Sequence, residues 1–427
     1  MNQVQRIDAL QHGEKLRVLF LNDLGFQYGA GMAHLRQIQS FVLMGHDVHG
    51  LSYTNGPVED SIPLVPAGAR GTWHGIEQLH HIHIDYGYSE RKIVEAVMKK
   101  VTAIAPDVVI VGNLHSAQWP LTLFEALRGL DAVVVAYMHD CHLISGRCAY
   151  PGGCYRYLTG CDATCPTPDE YPALEPKKIA GAWTQRRRLF CGPQGIPLAT
   201  NSQWTLSMAQ QALPDLPYAG VVYYGIDAHL FRPIDRTLAR RLLGLPRDRF
   251  IILGGSVNVR DLRKGTHYLQ NVLTAFADEV DMLVFGHESL GLKQVHATGL
   301  VRDYRKMPLL FSAADLLVGT ALEEAFGQTF LEAAACGIPS VAFRVGGIPE
   351  VARHDVNARL VDGFDIDQLL SEIEFFIRNP QQREAFGQAG RAMVKTEFTL
   401  QNQGQRWMTY LEGLPAHKPS LMADHEA

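Results

Sequence analysis

Short apolar runs alternate with amphipathic stretches along the first part of the chain. Leu16–Leu21 is an apolar run that ends at two polar residues, and a glycine-bearing loop then precedes a helical pattern over Met32–Met44. A second apolar run covers Val48–Tyr53. Short apolar runs with polar or glycine boundaries are typical of buried strands, so the chain is predicted to begin as strand, helix, strand. The same pattern predicts strands at Val108–Val111 and Val133–Met138 and a helix at Arg91–Ile104.

The pattern restarts after Tyr224–Asp227, with a new strand at Phe250–Gly254. Repeated alternation of strands and helices predicts an α/β protein whose parallel sheets carry helices on both faces. The 427 residues exceed the roughly 250–300 that one core supports, so two Rossmann-like domains are predicted, 1–225 and 226–400. Later strands are predicted at Met282–Phe285, Leu316–Gly319, Ser340–Phe343 and Arg359–Val361, and helices at Thr266–Ala277, Thr329–Cys336 and Ile366–Arg378.

Composition and charge narrow the classes of function. Charged residues make up 19% of the chain and the formal net charge is -5, which gives no reason to expect a nucleic-acid partner. The basic run Arg186–Arg188 is either a solvated helix face or a contact for an anionic lipid or phosphate. Residues 1–20 lack the pattern of a signal peptide, and no apolar run approaches the roughly 20 residues that span a bilayer. We therefore expect a cytoplasmic protein whose membrane contact, if any, is peripheral.

The segment with the most chemical information contains two acids eight positions apart, Glu324 and Glu332. A strand is predicted to end near Gly319, and a helix to begin near Gly327 or Gln328. Ligands of open α/β sheets bind outside the carboxyl ends of the strands, where this loop lies. The first N–H groups of the helix can face a diphosphate, and the two carboxylates can accept hydrogen bonds from sugar hydroxyls. Two isolated acids could equally be helix-start residues favoured by the helix dipole.

The residues around these acids decide between the two interpretations. The segment resembles the signature of retaining GT-B glycosyltransferases of family 4, in which Glu-x7-Glu is framed by Phe-Gly and Cys-Gly-x-Pro. This resemblance implies that Glu324 contacts the donor sugar and that Glu332 binds the nucleotide ribose. It also implies a GT-B architecture of two domains that face a central cleft, and it assigns residues 401–427 to a helix that returns to the N-terminal domain, followed by a frayed tail. The other donor-binding residues that it implies are Phe326, Gly327, Gln328 and Thr329.

Further matches extend the resemblance along the chain. Lys264-Gly265 resembles the pair that places a cation on the donor diphosphate, but the arginine usual before it is absent; Arg260 is expected to supply the second cation, with Arg263 as a competitor. Gly346–Glu350 and Tyr224–Asp227 also match, with Tyr224 in the place of an asparagine. Gly29–Met32 resembles the glycine loop of the family, so Gly31 is expected near the donor. That loop could also belong to a dinucleotide-binding fingerprint, which keeps a nicotinamide-dependent oxidoreductase as an alternative.

Histidines follow two of the predicted strands. His139-Asp140 comes directly after Val133–Met138, and His115 follows Val108–Val111. Single histidines are often structural, but these lie at the edge where ligands bind. The resemblance implies that His139 lies near the anomeric centre of the donor, and we expect Asp140 and His115 on the acceptor side.

Five cysteines are concentrated in the insert 141–166. The spacing of Cys148, Cys154, Cys161 and Cys165 is compatible with a structural zinc site, although it lacks the Cys-x2-Cys pairs that make such a prediction strong. Buried thiols or a disulfide are the alternative. A similar insert is found in bacterial exopolysaccharide glycosyltransferases of colanic-acid-like pathways, which places it on the acceptor side by resemblance.

These observations predict a hexosyltransferase that moves a sugar from a nucleoside-diphosphate sugar, of the UDP or GDP type, to an acceptor hydroxyl with retention of configuration. The acceptor is expected to be a sugar, a lipid-linked molecule or a small molecule, and the pathway to be polysaccharide or glycoconjugate synthesis. The family resemblance implies no cofactor for catalysis. A sugar-nucleotide epimerase or hydrolase of the same fold, or a sugar-nucleotide-binding protein without catalysis, would carry the same motifs.

Overall fold

The computed structural model describes residues 14–23, 28–54, 79–83, 89–117, 119–255, 261–286, 294–299, 301 and 303–415. Within these residues the strands form two parallel sheets, one of seven strands and one of six. The predicted α/β class is therefore confirmed. The Arg260 prediction and the predicted frayed tail from residue 416 lie outside the described residues.

The first sheet has the strand order β3-β2-β1-β4-β5-β6-β7, with β1 near its centre. Val18 of β1 pairs with Val48 on one side and with Val108 on the other. Strands β4 and β5 are buried along their whole length, as expected for a parallel sheet with both faces covered. The strands are β1 (Arg17–Asn22), β2 (Asp47–Thr54), β3 (Leu79–His83), β4 (Val108–Val111), β5 (Val133–Met138), β6 (Leu198–Thr200) and β7 (Ala219–Val221).

The helices that accompany this sheet, within the described residues, connect successive strands. They are α1 (Tyr28–Leu43), α2 (Glu90–Ile104), α3 (Thr122–Arg128), α4 (Arg156–Thr159), α5 (Pro176–Phe190) and α6 (Gln203–Ala212). The long connection between β5 and β6 carries the cysteine-rich insert, which includes a 3-10 turn at Cys141–Ile144. In α5, Arg186 is buried and donates to the carbonyl of Gly146, so the prediction of a solvated face is wrong for this arginine.

The second sheet has the order β10-β9-β8-β11-β12-β13. Its strands are β8 (Phe250–Gly255), β9 (Val280–Phe285), β10 (Val295–Ala297), β11 (Leu316–Gly319), β12 (Ser340–Phe343) and β13 (Ala358–Val361). Its helices are α7 (Arg236–Leu243), α8 (Thr266–Ala275), α9 (Met307–Ala313), α10 (Gln328–Ala335), α11 (Ile348–Val351), α12 (Ile366–Arg378) and α13 (Pro380–Glu397). Short 3-10 turns cover Leu262–Lys264 and Tyr304–Lys306.

The chain crosses between the two sheets twice. After β7 it forms a bridge between Ile226 and Thr399, beside the start of the last described helix, α14 (Leu400–Glu412). Helix α14 then packs against α1 of the first domain, where the ring of Trp407 lies between Phe41 and Tyr137. The C-terminal end of the described chain thus becomes part of the first domain's core. Among the described helices, none is long and apolar enough to cross a membrane.

The glycine segment predicted as a loop before α1 has a different conformation in the structure. Gly29–Met32 lies inside the first turns of α1, which begins at Tyr28 rather than at Met32. Gly31 is buried there.

Candidate functional site

The predicted acid and the predicted cation lie together at the carboxyl ends of β8 and β11. Strand β11 ends at Gly319 and α10 begins at Gln328, as the sequence predicted. The Nζ atom of Lys264 lies 2.8 Å from Oε2 of Glu324. Burial raises the pKa of Glu324, but the charges of Lys264 and Arg263 outweigh burial and bring the net pKa below its usual value. The carboxylate is therefore ionised at neutral pH and accepts hydrogen bonds.

Two glycine positions explain why the loop bearing Glu324 has this shape. A Cβ on Gly346 would come within 1.9 Å of the Glu324 carbonyl oxygen, and one on Gly265 within 2.0 Å of the Thr320 carbonyl oxygen. Both glycines also have positive φ angles, +53° and +60°. The N–H of Gly347 donates to the Glu324 carbonyl at 2.9 Å. The Gly346-Gly347 and Lys264-Gly265 motifs thus hold the loop that bears Glu324, the candidate donor loop, by backbone contact.

The predicted donor-binding residues Phe326 to Thr329 have different roles. Gly327 precedes α10 with a φ of +92°, and Gln328 and Thr329 form its first turn. The first N–H groups of a helix lack partners within the helix, so this end can bind an anion. The Phe326 ring does not form a cleft wall, because it is buried against Tyr224 with ring centroids 4.9 Å apart.

Helix α1 supplies a cation that the sequence analysis missed. The Arg36 guanidinium is fully buried, pairs with the Glu332 carboxylate and donates to Oε1 of Gln328 at 3.1 Å. Gln328 in turn donates from Nε2 to the carbonyl of Gly29 at 2.7 Å. These contacts join the two domains at the start of α10. Arg36 is the one Asp, Glu, Lys or Arg residue in α1. A single charged residue in an otherwise uncharged helix was the sequence feature that could have identified it.

Burial dominates the electrostatics of Glu332. It raises the pKa of Glu332, and Arg36 opposes this effect only in part. The Arg36 guanidinium also lies over the Tyr304 and Phe231 rings, at 5.4 and 5.5 Å from their centroids. The carboxylate that the resemblance assigns to a ribose is thus buried, and its partner Arg36 packs against two aromatic rings.

His139 belongs to a buried polar network at the end of β5. Its Nδ1 atom lies 2.6 Å from the Tyr224 hydroxyl, and its Nε2 atom lies 3.3 Å from Nδ1 of His34. Asn201 donates to the Tyr224 hydroxyl and to the His139 carbonyl. Burial lowers the pKa of His139 well below its usual value, so the imidazole is neutral at pH 7. Tyr224, which stands in the place of the family's asparagine, orients this ring.

The two residues predicted on the acceptor side meet next to His139. The Asp140 carboxylate accepts from Nδ2 of Asn113 at 3.3 Å and lies 3.6 Å from Nε2 of His115. The His115 ring packs against His142, with centroids 4.3 Å apart. Both strand ends therefore contribute polar side chains to one edge of the sheet.

The four cysteines predicted as zinc ligands are free thiols. Cys148, Cys154, Cys161 and Cys165 are all partly buried, and none forms a disulfide. Burial raises the pKa of Cys148 to about 11, and the other three thiols add to this effect because they lie nearby. Among the described side chains, no group of three or more His, Cys, Asp or Glu is arranged so that it could hold a metal ion. Zinc at this insert stays a prediction.

Glu350 is another interdomain residue. Its carboxylate accepts from the N–H groups of Gln203 and Trp204, at 2.8 and 3.1 Å, at the start of α6. An acid at the N-terminus of a helix is favoured by the helix dipole and by the unpaired N–H groups. The Gly346–Glu350 motif therefore contacts the candidate donor loop through its glycines and the first domain through Glu350.

Comparison with known proteins places this edge in a family context. A family model described as "Glycosyl transferases group 1" matches residues 258–393, which include Lys264, Glu324 and Glu332. The D-inositol 3-phosphate glycosyltransferases of Mycobacterium bovis and Mycobacterium tuberculosis are 32% identical over 175 residues. That alignment covers 37% of this chain and 36% of the length of those relatives.

Solved structures resemble the chain over nearly its whole length. Sucrose-phosphate synthase from Thermosynechococcus elongatus has a TM-score of 0.70 and 16% identity, over 92% of this chain and 98% of that one. HepE of Anabaena, in complex with UDP and glucose, has a TM-score of 0.69 and 20% identity, over 93% and 100%. At these identities the likeness shows the fold, which is the GT-B fold that the sequence predicted.

Proposed function

We propose that this chain is a glycosyltransferase that moves a sugar from a nucleoside-diphosphate sugar to an acceptor hydroxyl. The observation that carries the proposal is the pairing of Glu324, in the loop before α10, with Lys264, together with the position of Glu332 on α10 itself. One carboxylate beside a cation suits a sugar next to a phosphate, and the second suits a ribose diol. The match of residues 258–393 to group 1 glycosyl transferases supports this assignment.

The residues supply electrostatic catalysis in this proposal. The Lys264 ammonium and the first N–H groups of α10 stabilise the negative charge that develops on the leaving diphosphate. The second cation expected on that diphosphate is assigned to Arg260. The neutral His139 imidazole, held by Tyr224, accepts or donates one hydrogen bond near the anomeric carbon. The product keeps the anomeric configuration of the donor, as in family 4, and the donor phosphate assists deprotonation of the acceptor.

The donor is a UDP or GDP sugar. HepE, whose fold this chain shares, has been solved with UDP and glucose, which supports a uridine nucleotide as the first to test. The acceptor is a sugar, a lipid-linked molecule or a small molecule bound near Asp140 and His115. The resemblance of the cysteine-rich insert to that of exopolysaccharide glycosyltransferases supports exopolysaccharide assembly as the pathway. We place this activity in the cytoplasm or at the inner face of the membrane.

An epimerase or hydrolase of the same fold would consume the donor without an acceptor. An oxidoreductase would instead bind a nicotinamide cofactor through its first domain. The match of residues 258–393 to group 1 glycosyl transferases favours the transferase.

A nucleotide screen separates the enzymes that use sugar nucleotides from the oxidoreductase. We expect UDP or GDP to raise the unfolding temperature, because a ligand at a hundred times its Kd stabilises the folded state by about 2.7 kcal/mol. Thermal unfolding is measured with UDP, GDP, ADP and NAD at equal concentrations. Stabilisation by NAD alone would refute the transferase proposal.

A further inference from the structure

The cysteine-rich insert of the first domain contacts the donor loop of the second. The Tyr150 ring lies under the Arg263 guanidinium, 4.0 Å from ring centroid to Cζ. Two residues later, the N–H of Gly152 donates to Oε2 of Glu323 at 2.9 Å. Arg263 and Glu323 directly precede Lys264 and Glu324 in sequence. The tip of the insert therefore lies against the two segments that carry the predicted sugar-binding charges.

Arg263 connects this tip to the donor loop. Its Nη1 atom donates to the Glu323 carbonyl at 2.8 Å and lies 3.8 Å from Oε2 of Glu324. Its Nη2 atom donates to Oδ2 of Asp261 at 3.1 Å. The aromatic face of Tyr150 completes the environment of this guanidinium. A guanidinium held by oxygen acceptors in its plane and by a ring against its face has one favoured orientation.

The tip is itself anchored in the first domain. The N–H of Cys141 donates to the Ala149 carbonyl at 2.8 Å, and the Ser145 hydroxyl donates to the Cys148 carbonyl at 2.7 Å. These bonds tie the residues before Tyr150 to the turn that follows His139 and Asp140. Burial raises the pKa of Tyr150 well above its usual value, and the Glu324 and Asp140 carboxylates add to this effect. The phenol is thus neutral.

We propose that Tyr150 is a positioning residue for the donor sugar: it fixes Arg263, and Arg263 in turn fixes the Glu324 carboxylate. This inference rests on the proposed function and adds the insert to the sugar side of the site. The contacts of Glu332 with Arg36 lie on the nucleotide side and involve neither Tyr150 nor Arg263. Loss of Tyr150 therefore affects sugar transfer and leaves nucleotide binding intact.

The test compares three variants of the full chain. Tyr150→Phe keeps the aromatic face, Tyr150→Leu removes it, and Tyr155→Leu is a matched control in the same insert, where the side chain is 71% exposed. For the donor that the wild type consumes, we expect Tyr150→Leu to lower kcat/KM about tenfold. Tyr150→Phe should keep most of the wild-type kcat/KM. The affinity for the nucleoside diphosphate, measured by calorimetry, should stay within about twofold in all three.

Several outcomes would overturn the assignment. They are wild-type turnover by Tyr150→Leu, an equal loss in Tyr150→Phe, or a parallel loss of nucleotide affinity. If Tyr150→Leu does not fold, Arg263→Lys replaces it, because this change keeps the charge and loses the stacked plane; unchanged turnover there would also overturn the assignment. Absence of donor turnover by the wild type would instead overturn the proposed function, and the assignment with it.

Discussion

The charged side chains of the candidate site pair with one another. Glu324 pairs with Lys264 inside the second domain, and Glu332 pairs with Arg36 across the cleft. Removal of one member of a buried pair leaves the other charge uncompensated, which costs several kcal/mol, about 3–5 in measured cases. A sugar diphosphate offers partners to the same four groups: hydroxyls for the acids and phosphate oxygens for the cations. In the structure, the pairs hold these four side chains in place.

Replacement of Glu332 tests its assignment to the ribose. We expect Glu332→Gln to weaken binding of the nucleoside diphosphate about tenfold or more, because hydrogen bonds to a charged group contribute about 1.5–3 kcal/mol. Binding is measured by calorimetry. Glu374→Gln, at an exposed position of α12, is the control and should bind as the wild type does. Equal affinities in the wild type and in Glu332→Gln would remove Glu332 from the nucleotide site.

At the scale of elements, the strands that were predicted share one property. They carry at least four consecutive residues that are mostly apolar, as in β4, β5 and β12. The missed strands lie at or near the sheet edges, and they are either three residues long, as β6, β7 and β10 are, or histidine-rich, as β3 is. Such strands are held by neighbouring strands rather than by their own hydrophobic pattern. Local sequence therefore predicts the longer apolar strands, including the edge strand β13, and misses strands that are very short or polar.

Helix α14 is anchored on the first domain by Trp407. Trp407 is fully buried between the first sheet and α1, so Trp407→Ala should lower the free energy of unfolding by about 3–5 kcal/mol. Urea denaturation followed by circular dichroism measures this change. Gln405→Ala, at an exposed position of the same helix, should change the free energy by less than about 0.5 kcal/mol. A similar small effect for Trp407→Ala would mean that α14 does not belong to the first domain's core.

At the scale of the whole molecule, contacts between the two domains bring the parts of the candidate site together. Besides the pair formed by Arg36 and Glu332, Ser202 donates to the Ala325 carbonyl at 2.7 Å. Glu350 accepts from the start of α6, and the insert reaches Arg263. The motifs around Glu324 could be located from the sequence because they follow strand ends. The roles of Arg36 and Tyr150 could not, because each depends on a residue in the other domain that is distant along the chain.

Buried neutral histidines give the protein a pH dependence. Burial lowers the pKa of His34 from 6.5 to about 3, and it lowers the pKa values of His139 and His142 well below 6.5. The unfolded chain thus binds more protons below pH 6.5 than the folded chain does, so stability is complete above pH 6.5 and falls as the pH drops. Each such histidine costs about 1.4 kcal/mol per pH unit in that range.

Urea denaturation at pH 7.5, 6.5 and 5.5 measures this dependence. We expect the free energy of unfolding to change little between the first two values and to fall clearly between the last two. His34→Gln should reduce the slope below pH 6.5, because it removes one of the groups that bind a proton on unfolding. A slope that is unchanged by this substitution would show that His34 takes up its proton in the folded state.

The central claim is that Glu324 serves the sugar of a nucleoside-diphosphate donor. The most direct measurement incubates the wild type and Glu324→Gln with UDP, GDP and ADP sugars and follows each donor by mass spectrometry, with and without acceptor sugars. The account predicts that the wild type consumes one class of donor and that Glu324→Gln does so about a hundredfold more slowly, with nucleotide affinity retained. Equal rates for the two proteins, or no donor consumed by the wild type, would contradict it.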